Sequence, residues 1–431
     1  PDRPEVRKDW AQYHDRITMM DQRVGHNLRE LEEAGLADNT IVFYYGDHGS
    51  GMPRSKRWPY FSGLNVPLII HVPEKFKNLA PPEYKAGGST DRLVGFIDLA
   101  PTLLSIAGKK SPAQMQGHAF MGRHAAPAQP FSFGFRGRMD ERYDMVRTVF
   151  DGRHVYIRNY MPHKPYGQYL DYMFQTPTTR VWRDLYRAGK LNEAQSRFWQ
   201  TKPMEELYDI DSDPDEVNNL AKSKEHAPIL KRMRKAHLDW AKNVHDIGFL
   251  PEAEIHSRAG NGSPYEMGRD DSRYDFEAIS GAARTASQKG KKSTEQLAKL
   301  ISSSDSAVRY WAAMGYLMRG KNGVRKGREA LATAMEDPSP SVRIIAAEAL
   351  GRYGRKAEAK HAAEVLMHYA DPAKNGVALS MLALNALDAL GEQVAPHRDA
   401  IGKLARIDPQ ANPRMRNYAN RLIGRILGDS K

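Results

Sequence analysis

Asp47 and His48 set a carboxylate beside an imidazole on a turn flanked by Gly46 and Gly49. Those groups suit a divalent cation, and the carboxylate favours a hard one, Ca2+ or Mg2+. An Asx-type turn closing a strand would use the same residues. Lys56 follows within Arg54-Ser55-Lys56-Arg57, and three cations beside a carboxylate loop can receive an anion through charge-assisted hydrogen bonds. The plainer reading of that stretch is a solvated basic loop. A second polar cluster runs Arg136, Arg138, Asp140, Glu141, Arg142, Tyr143, Asp144. It reads either as an ion-paired surface loop or as a substrate-selecting wall of a cleft. On the second reading Arg138, Asp140 and Arg142, together with Arg54, contact substrate. His118, His163 and Lys164 lie in loops, where they either touch a glycan or are simply solvated, and His163 joins the substrate-contact candidates.

Elements of regular structure must position these groups. Ile17, Met20, Val24, Leu28, Leu31 and Leu36 recur at helical spacing across residues 13–36, with Gly35 near the end. Ile41-Val42-Phe43-Tyr44-Tyr45 follows, a continuous apolar run that suits a central strand covered on both faces. It empties into the Asp47-His48 loop, at the strand end where ligands gather in open α/β sheets. A second buried strand is expected at 66–72 and a helix within 91–107. Beyond residue 131 the texture is of short strands. Two of them, 145–150 and 154–158, are joined through Asp151-Gly152 as a hairpin. Another strand is expected at 206–210, then a basic amphipathic helix at 223–243. Residues 251–292 are polar and read as a linker or an irregular wrap. From 293 to 431 the chain turns helical and repetitive. Asp305, Val308, Arg309, Ala312, Ala313 and Leu317 are echoed by Asp337, Val342, Arg343, Ala346, Ala347 and Leu350. Units recur roughly every 35 residues, as in helix-pair solenoids of HEAT type. The recurrent Arg309 and Arg343 are best explained by that architecture, pairing with an Asp or a helix end.

The composition sets outer limits. The chain has 431 residues, 41% of them hydrophobic and 27% charged, enough for two or three packed domains. Its net charge of +12 favours anionic partners in general, but the basic residues are spread out. There is no cysteine, so disulfides, thiolate zinc sites and Cys nucleophiles are excluded within these residues. No apolar run approaches the ~20 residues of a membrane span.

Read together, the 13–63 segment resembles the type I, formylglycine-dependent sulfatases of the alkaline-phosphatase superfamily. The order is helix, Ala37-Asp38-Asn39-Thr40 turn, apolar strand, Asp47-His48-Gly49, then Lys56, Tyr60 and Gly63, then Val66-Pro67-Leu68-Ile69. Further echoes are Phe96-Ile97-Asp98-Leu99-Ala100-Pro101-Thr102 and Glu206-Leu207-Tyr208-Asp209-Ile210-Asp211-Ser212-Asp213-Pro214. The resemblance covers about residues 10–245. It implies an α/β, alkaline-phosphatase-like core incomplete at its N-terminus (1–130). A small antiparallel C-terminal subdomain (131–250) follows, and an all-α HEAT-like solenoid comes after the linker. It also implies Asp47 as a Ca2+ ligand, His48 beside it where the family often has Asn, and Lys56 on the sulfate and leaving-group oxygens. The substrate is then a sulfated small molecule or glycan, with no nucleic acid partner. The solenoid offers a surface for a protein partner, and the location expected is periplasmic or extracellular, although no signal segment is visible. The family's nucleophile motif is not found before Asp47. Ser280-Gly281-Ala282-Ala283-Arg284 is a loose echo after the core and is not expected to serve. The nucleophile half of the site is therefore expected upstream, leaving this polypeptide inactive alone. Two rival readings remain: a phosphoesterase of the same superfamily, or a HEAT-type interaction protein carrying a non-catalytic remnant.

Overall fold

The computed structural model describes residues 1–428. Helix α1 runs Pro4–Glu33 with proline in its first turn, where the missing N–H costs nothing. It closes where Gly35 takes the left-handed conformation at φ 67°. No residue of α1 is buried, and Trp10, Ile17, Met19, Met20 and Leu28 are exposed. Its anchor is polar. The Asp9 carboxylate accepts from the backbone N–H and hydroxyl of Thr178 (2.7 and 2.6 Å), at the N-terminus of helix α3 (Pro177–Arg187).

Strand β1 (Val42–Tyr45) pairs antiparallel with β2 (Leu68–His71), Phe43 opposite Ile70 and Tyr45 opposite Leu68. This corrects the expectation of central strands covered on both faces. Phe43 and Ile70 pack toward Val72, Phe120 and Met121, beside helix α2 (Leu99–Ile106), while Tyr45 and Ile69 on the pair are exposed. A continuous apolar run signals two-sided burial, but here the second face is covered only in part: Tyr44 on it is half-buried and its hydroxyl meets Met20 of α1 (3.3 Å), while Ile69 opposite it is exposed.

A four-stranded antiparallel sheet follows in sequential order: β3 (Ser132–Arg136), β4 (Val146–Phe150), β5 (His154–Asn159) and β6 (Glu205–Asp209). The β4–β5 hairpin turns at Asp151-Gly152 as expected. Gly152 sits at φ 98°, and Asp151 Oδ1 accepts from the N–H groups of Arg153 and His154. Helix α4 (Ala227–Asn243) covers this sheet. Its buried residues Leu230, Met233, His237 and Ala241 fall on one helical face, and Leu230 and Met233 meet Val149, Tyr156 and Leu207.

Residues 251–292 are not an irregular linker. They form helices α5 (Glu252–Ala259) and α6 (Phe276–Ser287), and α6 is built into the helical array. Its inward positions Ile279, Ala282, Ala283 and Ala286 are fully buried at i, i+3, i+4, i+7 spacing. Alanine carries little hydrophobic weight in a composition but permits close helix approach. A Cβ on Gly315 of α8 (Ser306–Met318) would fall 3.1 Å from the Ala286 Cα.

The array continues through α7 (Lys291–Leu300), α8, α9 (Pro340–Tyr353), α10 (Lys356–Tyr369), α11 (Pro372–Leu390, broken at Gly376 with φ 72°) and α12 (Tyr418–Leu427). The repeat signature is structural. Asp305 caps α8, while Asp337 takes both guanidinium arms of Arg309 (2.6 and 2.8 Å). Arg343 donates to the Glu336 and Asp337 carbonyls at the preceding helix end. One continuous apolar core joins the array to the sheet subdomain through Tyr143, Met145, Tyr160 and Phe249.

Candidate functional site

The loop after β1 is folded on itself by backbone contacts. Gly46 N–H donates to Pro67 (3.2 Å), Gly49 N–H to Gly63 (3.1 Å) and Lys56 N–H to Ser50 (3.0 Å), while Ser55 Oγ donates to the Ser62 carbonyl (2.6 Å). A Cβ at Gly49 would lie 2.0 Å from the Ser62 oxygen and one at Gly63 2.1 Å from the Trp58 oxygen, so both positions require glycine. The result is a tight double turn with Asp47-His48 at one end and the three cations at the other.

Asp47 is largely exposed, and His48 Nε2 lies 3.3 Å from its Oδ2. The opposite ring nitrogen, Nδ1, is held against the Gly49 carbonyl at 2.7 Å, which fixes the imidazole's orientation. Among the described residues no group of three or more His, Cys, Asp or Glu side chains converges to hold a metal ion. Ca2+ takes six to eight oxygen ligands. Asp47 and His48 by themselves therefore do not make a calcium shell.

The three cations divide sharply. Arg54, in the left-handed region at φ 68°, spends its guanidinium on the carbonyls of Asp215 and Glu216 (2.7 and 2.9 Å) and lies over the Tyr60 ring. Arg57, at φ 82°, pairs with Asp140 (2.7 Å) and lies 4.7 Å from the Tyr172 ring centre. Lys56 has no ion-pair partner among the described residues; its ammonium sits 5.4 Å from the same ring centre. Arg54 and Arg57 build the loop, and Lys56 alone of the three has no ion-pair partner among the described residues.

The remaining sequence candidates lie elsewhere. Asp140 reaches this loop, but as the partner of Arg57. Arg138 grips Glu252 with two nitrogens (2.7 and 3.0 Å), and Arg142 is buried against Asn385 and Asp388 of α11 (3.0 and 2.7 Å). Both tie the sheet subdomain to the helices rather than facing a cleft. His163 is partly exposed as a residue, yet both ring nitrogens are buried without partners. Burial, reinforced by Lys164 and Lys202, holds its pKa well below the ordinary range. The cluster at 136–144 is thus an ion-paired junction. Ser280, in the loose nucleophile echo, is fully buried inside α6 and accepts from Arg284 (3.1 Å).

Residues 2–109 match the sulfatase family model, and residues 294–385 match that of HEAT repeats. The N-terminal part of this chain is a sulfatase-family segment. An ulvan-active sulfatase of Formosa agariphila is 40% identical over 264 residues, covering 61% of this chain and 43% of that protein. A second ulvan-active sulfatase of the same organism is 29% identical over 51% of this chain and 40% of its own length. Human N-sulphoglucosamine sulphohydrolase is 26% identical over 57% of this chain and 50% of its own length. The chain therefore spans about two fifths to one half of the length of these curated relatives.

Two residues beyond the 2–109 match, which no local motif singles out, also position the loop. Tyr172 gives Lys56 and Arg57 a shared aromatic face. Glu216 lies in the Asp213-Pro214-Asp215-Glu216 turn after β6. Both its carboxylate oxygens accept from the Phe61 N–H (3.1 and 3.0 Å), and its carbonyl accepts from Arg54. Burial pushes the Glu216 carboxyl up from 4.5 to about 7, against the opposing pull of Arg54. A carboxyl with a raised folded pKa binds its proton more tightly when folded. Its contribution to stability is complete below about pH 4.5 and is lost as pH rises toward 7. Glu216→Gln should remove this slope. From pH 4.5 to 8 the variant should gain roughly 3 kcal/mol relative to wild type in urea unfolding, and a pH-independent difference would refute the assignment.

Proposed function

We propose that this chain supplies the sulfate-binding side of a sulfuric ester hydrolase acting on a sulfated carbohydrate. The observation that carries this is Lys56. It is the loop's uncommitted cation, set on the same glycine-locked turn as Asp47-His48 and near the face of an aromatic ring. An ammonium there can neutralise sulfate oxygens and the charge that develops on the leaving oxygen. His48, held through Nδ1, presents Nε2 beside Asp47 as the other polar edge. We propose these two as a partial ligand pair for Ca2+, since Mg2+ demands a stricter octahedron. The remaining ligands and a formylglycine nucleophile would come from outside these 431 residues. A periplasmic or extracellular location would fit a polysaccharide substrate.

The ulvan-active relatives make ulvan oligosaccharides the first substrates to try, beside sulfated glucosamines and an aryl sulfate. The protein carrying its complete catalytic unit should release sulfate from at least one. Asp47→Ala should lower that release at least about tenfold, equivalent to 1.4 kcal/mol. Hydrolysis of phosphate esters in preference to every sulfate ester would overturn the reading in favour of a phosphoesterase.

A further inference from the structure

Away from the Lys56 loop, a cavity of about 320 Å3 opens where β5, β6, α4 and α6 meet. That is the lower end of the volumes small-ligand sites use. Arg158, Arg234 and Arg284 line it, with one carboxylate, Glu205, among them. Glu205 is already spent: Arg234 holds both its oxygens (2.7 and 2.8 Å), and the Tyr156 hydroxyl donates to one of them (2.7 Å). Arg158, itself buried, donates to the Met204 carbonyl and to Ser287 Oγ (3.0 and 2.6 Å), both neutral. Arg284 donates to Ser280 Oγ and has no acidic partner among the described residues. The cavity walls therefore carry two uncompensated guanidinium charges.

His237 completes the lining. It is 1% exposed, and Nε2 is bonded to the Tyr160 hydroxyl at 2.9 Å, while Nδ1 is buried with no partner. Burial, with Arg147 next, holds this imidazole down to about 3, so the ring is neutral. When the Tyr160 hydroxyl donates to Nε2, the proton sits on Nδ1 as an unsatisfied donor. The demand for an acceptor inside the cavity comes from the two unpaired guanidiniums on its wall.

We propose that this cavity binds a small oxyanion, held by Arg284 and Arg158. Sulfate, sulfated sugars and uronates share that chemistry. Because Arg158 stands on the sheet and Arg284 on the first array helix, a bound anion bridges the sheet subdomain and the HEAT array. The proposal uses no residue of the Lys56 loop and stands apart from the catalytic reading.

The test is calorimetric titration with sodium sulfate, glucose 6-sulfate and glucuronate, each at ionic strength matched with NaCl so that screening is constant. Five proteins are compared: wild type, Lys56→Ala, Arg284→Gln, the Lys56→Ala/Arg284→Gln double variant, and Arg284→Lys in the Lys56→Ala background. At least one anion should bind the Lys56→Ala protein saturably, and adding Arg284→Gln should weaken that binding about tenfold or more. Arg284→Lys, which keeps the charge without the fork, should fall between. Equal binding of sulfate and glucose 6-sulfate makes the free anion the ligand; binding of glucose 6-sulfate or glucuronate alone makes it the group on a sugar. Absence of saturable binding in Lys56→Ala, or equal affinity with and without Arg284, would overturn the cavity assignment. Either result leaves the catalytic reading untouched.

Discussion

Asp144→Ala is expected to cost the fold about 3–5 kcal/mol, the penalty for removing one partner of a buried ion pair. Asp144, Lys202 and Arg136 each have side chains only 1% exposed. The Asp144 carboxylate takes the Lys202 ammonium on Oδ2, has Arg136 Nε 3.5 Å from the same oxygen, and accepts the Met145 N–H on Oδ1 at 2.8 Å. Without it two buried cations lose their directly bonded counter-charge, and burial already holds both pKa values down. Such a cost is a large fraction of a typical 5–15 kcal/mol stability. Lys202→Met in the Asp144→Ala background removes one of the stranded charges. The double variant should recover more than about 1 kcal/mol over the additive expectation. Urea midpoints of the four proteins read this directly; a loss under about 1 kcal/mol in Asp144→Ala would show that the cluster is not electrostatically closed. The effect should reach the candidate site, because Arg136 also donates to the Arg57 carbonyl at 2.6 Å and lies over Trp58.

This cluster also shows where the sequence stops being informative. The apolar strand, its Gly-rich exit, the Asp-Gly hairpin and the Asp-Arg repeats are local patterns, set within a few residues of one another. Each appears in the structure close to where the pattern puts it. The roles of the 136–144 charges are not local. Arg138, Arg142 and Asp144 find Glu252, Asp388 and Lys202 at separations of 58 to 246 residues, which no spacing rule reveals. Helix α6 was hidden for a different reason. Its buried face is mostly alanine, so it reads as polar until Gly315 and Ala286 are seen to let two backbones approach. The three cations within 54–57 likewise look equivalent in sequence. Only the carbonyls of Asp215 and Glu216 and the carboxylate of Asp140 separate the two that fold the loop from the one that does not.

That separation yields the second large effect. Lys56→Ala is expected to lower kcat/KM for sulfate-ester hydrolysis by about 10²–10³-fold, the loss typical of removing one preorganised donor from developing oxyanion charge. The fall should lie mainly in kcat, because such a donor acts more strongly on the transition state than on bound substrate. Neighbouring charge should not compensate. Arg54 is held at two carbonyls and Arg57 at Asp140, and moving either would break contacts that shape the turn. Lys56→Arg should restore little, since a broad planar fork holds its charge differently from a compact ammonium and the Tyr172 face is already shared with Arg57. Stability should hardly change, because the Lys56 side chain has no ion-pair partner among the described residues. Activity within threefold of wild type would remove Lys56 from the chemistry. A matching fall in thermal stability would make it another residue that folds the loop, leaving the sulfate without a cation from this segment.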